Sequence, residues 1–171
     1  VRAARAALLL LALPLPLPLA GCQLAPVYSG GQAGPAQAML GAIEVAPIAD
    51  ANGFLVRDRL IQRLQPGGAP RYRLDVVLDD RIIGFGVRGD NSIIRERRTL
   101  RARYRLVELA TGEVKLDTTA SADAGIDVVS SEYAVVAAEA TAVERLAAEL
   151  AEQIVARLAL LARAPVPRTL P

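Results

Sequence analysis

No histidine and no tryptophan occur in this 171-residue chain, and cysteine and methionine appear once each. Without histidine a Ser-His-Asp triad or a Cys-His dyad lacks a member, and the common zinc ligand sets cannot be assembled. Two phenylalanines and four tyrosines leave little aromatic surface on which bases could stack. The longest apolar run, Ala6 to Leu19, is shorter than the roughly 20 residues a membrane-spanning helix needs, and Pro14, Pro16 and Pro18 break its second half. No phosphate-binding loop is present: Gly84-Phe85-Gly86 has neither the following helix nor the later glycine spacing of a nucleotide motif. One enzymatic reading survives these absences, a carboxylate-based glycan hydrolase using Asp79, Asp80 or Asp90. Those acids fall at a strand end and in a turn, where solvated charges are the default.

What is present gives the single cysteine a reason to exist. Arg2 and Arg5 open the chain, the short apolar run follows, and Leu19-Ala20-Gly21-Cys22 ends it with small residues just before the thiol. A basic start, an apolar core and small residues at the cut describe a secretory signal peptide. With cysteine directly after the cut, the stretch resembles the lipobox of bacterial lipoproteins. The rival is a buried, inert thiol inside a mature domain. The lipobox resemblance implies that residues 1–21 are removed and that Cys22 carries a diacylglycerol thioether and an N-acyl chain. No other cofactor and no metal is expected. Acyl burial contributes about 0.8 kcal/mol per CH₂, so several chains on one residue make a nearly permanent membrane anchor. Gln23, where an inner-membrane lipoprotein often has aspartate, leans towards the outer membrane and its periplasmic face.

The remaining 150 residues suffice for one domain with one core. They carry 18 basic and 18 acidic side chains, so the distribution of charge matters more than its sum. Residues 22–41, with Pro26, Pro35 and several glycines, read as the lipidated cysteine and a flexible tether. Residues 42–163 read as the folded domain, and 164–171, with Pro165 and Pro167, as a disordered tail. Within the domain, Ile43 to Ile48 predicts a first strand. Asp50 or Asn52 can cap a helix from about Gly53 to Leu64, striped by Val56, Leu60, Ile61 and Leu64. Tyr72, Leu74, Val76 and Leu78 alternate with charged residues, and the strand continues through Phe85. Leu100, Ala102, Tyr104 and Leu106 alternate with arginines in a second strand over 97–109. Ala110-Thr111-Gly112 turns it into a third, over 113–122. A last helix starts at Ser130 or Ser131 and runs to Leu161, with a stripe of Val136, Ala140, Val143, Ala147, Leu150, Ile154, Leu158 and Leu161.

The order β-α-β-β-β-α predicts an α+β fold: a four-stranded, mostly antiparallel sheet with two helices packed on one face. The other face is left to the arginines. Ten lie between Arg71 and Arg105, against five acids. Arg101, Arg103 and Arg105 share one strand face, with Arg71 and Arg73 on the neighbouring run. Cross-strand ion pairs on a solvated face, each contributing under about 1 kcal/mol, explain such a stripe. So does a docking surface for a polyanion or an acidic protein wall, because planar guanidinium forks suit phosphates and carboxylates. Nucleic acid is a poor candidate for an exported, anchored protein with so few aromatics.

Several short segments, in order, resemble one family. Gly21-Cys22-Gln23-Leu24-Ala25-Pro26-Val27-Tyr28 is similar to the Gly-Cys-Gly-Phe-x-Pro-Leu-Tyr start of alphaproteobacterial LptE, with Gln23 and Leu24 replacing the usual Gly-Phe. Tyr72-x-Leu74-x-Val76-x-Leu78 continues the resemblance. So do Thr99-Leu100-x-Ala102-x-Tyr104-x-Leu106-Val107 with Thr111-Gly112, and Ser131-x-Tyr133-Ala134 leading into Ala137-Ala138-Glu139. The resemblance implies a non-enzymatic outer-membrane lipoprotein of lipopolysaccharide (LPS) assembly. It implies a plug inside the LptD β-barrel that helps that barrel assemble and receive LPS, with LPS or another acidic glycolipid as ligand. On this view Arg101, Arg103 and Arg105, then Arg71 and Arg73, are the candidate contacts to glycolipid or barrel. An auxiliary lipoprotein of a periplasmic ABC-type lipid transporter is the alternative from another class.

Overall fold

A computed structural model describes residues 34–87, 89 and 93–163. Cys22, the expected signal peptide, Asp90 and residues 164–171 lie outside the described residues. The described elements are α1 (Pro35–Leu40), β1 (Ile43–Val45), α2 (Ala51–Leu64), β2 (Tyr72–Val87), β3 (Ile93–Glu108), β4 (Val114–Asp127) and α3 (Glu132–Leu161). The strands form one sheet in the order β1-β2-β3-β4. β1 runs parallel to the start of β2, as the intervening helix requires, and the other neighbours are antiparallel. The chain is therefore α+β with an open four-stranded sheet, as its alternation predicts.

Period-two alternation decides which sheet face is covered. Leu74, Val76, Leu100, Ala102, Tyr104, Leu106, Ala122, Ala124 and Ile126 are buried on one face. α2 meets them with Val56, Leu60 and Leu64, and α3 with Leu146, Ala147, Leu150, Ala151, Ile154 and Leu158. Alanines on α3 opposite alanines on β3 and β4 allow the long helix to lie close to the sheet. Burial raises the Tyr104 pKa, with nearby Arg157 opposing it. β4 runs further than its expected end at 122, because Ala124 and Ile126 keep alternating into the core under α3.

Several expectations change at the local level. Pro35–Leu40, assigned to the tether, is a helix instead, with proline at its start where the missing N–H costs nothing. Ala36 and Leu40 are buried, so apolar packing overrides the proline–glycine composition of the surrounding stretch. Asp50 stands at the N-cap of α2, but its side chain makes no capping bond and its φ is 69°. Asn52 lies inside the helix and donates to Asp80 Oδ2 at 2.6 Å. Gly53 is required by close approach: a Cβ there would sit 2.8 Å from the Ile48 carbonyl oxygen. Ser131 does cap α3, accepting from the Ala134 N–H at 3.4 Å. Val136 and Ala140, expected on the apolar stripe of α3, are exposed, because the helix continues past the end of the packed core. Near that point the Arg98 guanidinium, donating to the Glu139 carbonyl, ties helix to sheet at 3.2 Å.

Candidate functional site: the uncovered face of the sheet

The face opposite the helices is built by the odd-numbered residues of β2, β3 and β4. On β3 it carries Arg95, Arg97, Arg101, Arg103 and Arg105, all exposed. Alternation alone puts them there: Leu100, Ala102, Tyr104 and Leu106 turn inward, so their neighbours turn outward.

The register then sorts the five expected candidates. Arg103 holds Asp117 through two parallel bonds, Nε to Oδ1 at 3.2 Å and Nη2 to Oδ2 at 3.1 Å. Arg73 holds Asp75 in the same way, at 2.9 and 3.1 Å. Arg71 donates to Glu108 Oε1 at 3.1 Å and lies 5.3 Å from the Tyr72 ring centroid. Lys115 reaches Glu108 Oε2 from the other side at 3.1 Å, beside a bulge between Leu106 and Val107. These contacts stabilise the ionised form of two of the acids. The Lys115 ammonium, and then Arg71, hold the Glu108 carboxyl below its ordinary value, and Arg103 does the same for Asp117. Arg73 and Arg103 are correspondingly raised by Asp75 and Asp117.

Arg101 and Arg105 are different. The ladder sets Asp79 opposite Arg101, and Asp75 and Asp117 on either side of Arg105. Each of those acids is engaged elsewhere: Asp79 with Arg81 at 3.0 Å, Asp75 with Arg73, and Asp117 with Arg103. Among the described residues Arg101 and Arg105 therefore make no direct salt bridge, although the Arg105 charge still reaches Asp117 and helps hold that carboxyl down. A third cation of this kind, Arg97, was not singled out from the sequence. Its guanidinium stacks 5.5 Å from the centroid of Phe85, the residue two positions beyond its ladder partner Ile83. The signal was available, since Arg97 has the same parity as Arg101 and Arg105, but its pairing with Phe85 depends on the hairpin register.

Arg97, Arg101 and Arg105 thus stand four residues apart on one strand face, about 13–14 Å between neighbours at the usual rise. Arg73 and Arg103 stand among them, already neutralised, and Arg71 lies at the strand start. Such a row offers guanidinium forks at intervals to an extended or multiply charged anion. Salt weakens any such contact, because the row is solvent-exposed. Of the acids weighed for hydrolysis, Asp79 is engaged by Arg81, and Asp80 accepts from Asn52 and Arg98. Among the described residues no cluster of His, Cys, Asp and Glu could hold a metal ion. No helix among them is long and apolar enough to cross a membrane.

Residues 40–158 match the family model described as LptE: Lipopolysaccharide-assembly. No protein of curated function matches the chain significantly. A candidate lipoprotein from Caulobacter crescentus is similar in structure, with a TM-score of 0.63 at 23% identity over 75% of this chain and 96% of that one. The rare lipoprotein B of Shewanella oneidensis gives 0.54 at 13% identity, over 70% and 92% of the two chains. A minor lipoprotein of Acinetobacter baumannii gives 0.54 at 16% identity, over 69% and 88%. At such identities the structural likeness speaks for the fold, and the family match speaks for the lineage.

Proposed function

The chain belongs to the LptE lipopolysaccharide-assembly family, and on that premise we propose that it is a non-catalytic, lipid-anchored subunit of the machinery that delivers LPS to the cell surface. It is held at the periplasmic face of the outer membrane through acyl chains on Cys22. It occupies the lumen of an LptD-like β-barrel, assists assembly of that barrel, and contacts LPS. The observation that carries the reading is the row of Arg97, Arg101 and Arg105, cations with no direct salt bridge among the described residues, on a sheet face that no described helix covers. Phosphates on the glycolipid and carboxylates on a barrel wall are both matched by such a row. The pairing of Asp79 and Asp80 with arginines supports the absence of a catalytic role.

Two measurements test it. The purified full chain binds LPS, and replacing Arg97, Arg101 and Arg105 with Gln lowers that affinity at least about tenfold, as loss of charge-assisted hydrogen bonds requires. Binding that is indifferent to the three substitutions returns the row to ordinary solvated charge. A pull-down from solubilised outer membrane recovers a large β-barrel. Recovery of inner-membrane transporter components instead, with surface LPS intact, assigns the protein to an ABC-type lipid transport system.

A further inference from the structure

The two outer edges of the sheet are not alike. β4 shows solvent Lys115, Asp117, Thr119, Ser121, Asp123 and Asp127 along its open-face positions, and Gln153 of α3 donates to the Ser121 carbonyl at 3.3 Å. Charges of this kind blunt an edge against pairing with other chains. β2 is the opposite. β1 covers only Tyr72–Leu74, and its last hydrogen bond runs from the Ala46 N–H to the Leu74 carbonyl. The Tyr72 N–H likewise points to that side, bonding the Ala42 carbonyl. Alternation then turns the N–H and C=O groups of Val76, Leu78, Asp80, Ile82 and Gly84 outward as well. Among the described residues no backbone bond reaches them.

This bare edge carries exposed apolar side chains on both faces. Val77 is 71% exposed, Ile83 61% and Phe85 39% on the open face, with Ile82 44% exposed on the helix face. Its charges cancel internally: Arg81 neutralises Asp79 at 3.0 Å, and Arg98 neutralises Asp80 at 2.6 Å. We infer that the free edge of β2 from Val76 to Gly84 is a docking site for an extended, uncharged strand of a partner protein, added to the sheet by main-chain hydrogen bonds. A strand laid there satisfies the outward groups and buries apolar side chains above and below the sheet at once, which is how β-augmentation obtains its affinity. Charge complementarity selects the occupant, because among the described residues the edge strand's own charges, Asp79, Asp80 and Arg81, are all paired and offer nothing to a headgroup or a charged peptide. Bilayer hydrocarbon does not fit, since an open sheet edge is not tolerated in lipid. The inference concerns the strand edge, which adjoins the arginine row where Phe85 stacks on Arg97, and it rests on the free backbone groups rather than on those cations.

The test uses the full lipidated chain in its native membrane, with a photoreactive residue at Val77 or Ile83 and control probes at Thr119 and Ser121. Adducts from Val77 and Ile83 map to one segment of another protein, at positions that track the six-residue spacing of the probes, and the β4 controls give none to that segment. Ile82→Pro removes an outward N–H while sparing the ladder to β3, and lowers the adduct yield at least about tenfold, the cost of an unpaired carbonyl on the incoming strand. Amide exchange supplies a check that needs no substitution: the Leu78, Ile82 and Gly84 amides exchange quickly in the purified chain and slowly in the membrane complex. Adducts to lipid, to a second copy of this chain or to scattered sites, an Ile82→Pro variant that cross-links as before, or equal exchange in both states would each overturn the proposal. Recovery of a barrel with any of these results leaves the family function standing and removes only the strand.

Discussion

The two halves of β2 are one continuous strand with opposite environments. From Tyr72 to Leu78 inward residues are buried or half-buried under the helices, while from Asp79 to Gly86 every residue is exposed. Both halves pair with β3 residue for residue. The ladder to β3 therefore does not distinguish them; packing does, together with the bonds from β1, which reach only the first half. The first half belongs to the folding core. The second half is held out by its ladder and by the Asp80–Arg98 contact, and apolar side chains placed there do not stabilise this domain by itself. Ile82, Ile83 and Phe85 are available to something else.

The sharpest way to break this comparison is to truncate one apolar residue in each half. Leu74→Ala should destabilise by about 2–5 kcal/mol, the range for emptying a sealed core position. Ile83→Ala should cost within about 0.5 kcal/mol, as for an exposed site. Urea denaturation measures both, and equal losses would erase the distinction. Arg98→Met comes next. Its side chain is 11% exposed and bridges Asp80 and the Glu139 carbonyl, so its loss should cost about 1–2 kcal/mol by leaving Asp80 less well satisfied. Hydrogen exchange should rise first in the opening turns of α3 and in Asp79–Gly86. A uniform rise would show that the pair serves the whole fold. Asp50→Gly should stabilise by about 1 kcal/mol, since φ of 69° suits glycine and the carboxylate makes no cap. An unchanged midpoint would show that the strain is already relaxed in solution.

The smallest effect is that of pH. Glu108 and Asp117 have depressed values in the fold, so each contributes stability that is present above the ordinary carboxylate value and lost as pH falls through the folded one. The denaturation midpoint should thus be level through the neutral range, which no histidine can perturb, and decline only in acid below about pH 4. Glu108→Gln should flatten part of that decline. A transition between pH 5 and 8 would point to groups outside this account.

Much of the fold was legible because its signals are periodic. Leu74, Val76, Leu100, Ala102, Tyr104 and Leu106 alternate, and Leu150, Ile154 and Leu158 recur at helical steps, so strands, helix and inner face follow from spacing alone. α1 was hidden because glycine and proline around it read as tether, while its burial depends on distant residues. The site was legible only in outline. Parity shows that Arg101, Arg103 and Arg105 share a face. Which of them is already paired depends on the hairpin register and on competition for Asp75, Asp79 and Asp117, which no local pattern encodes. The same register, not composition, brings Phe85 beneath Arg97.

Depleting the protein from the living cell and quantifying LPS at the outer surface tests the central claim most directly. The account predicts that surface LPS falls while LPS accumulates behind the outer membrane, and that a copy with Arg97, Arg101 and Arg105 replaced by Gln restores it only in part. Surface LPS that stays at its normal level after depletion would contradict it.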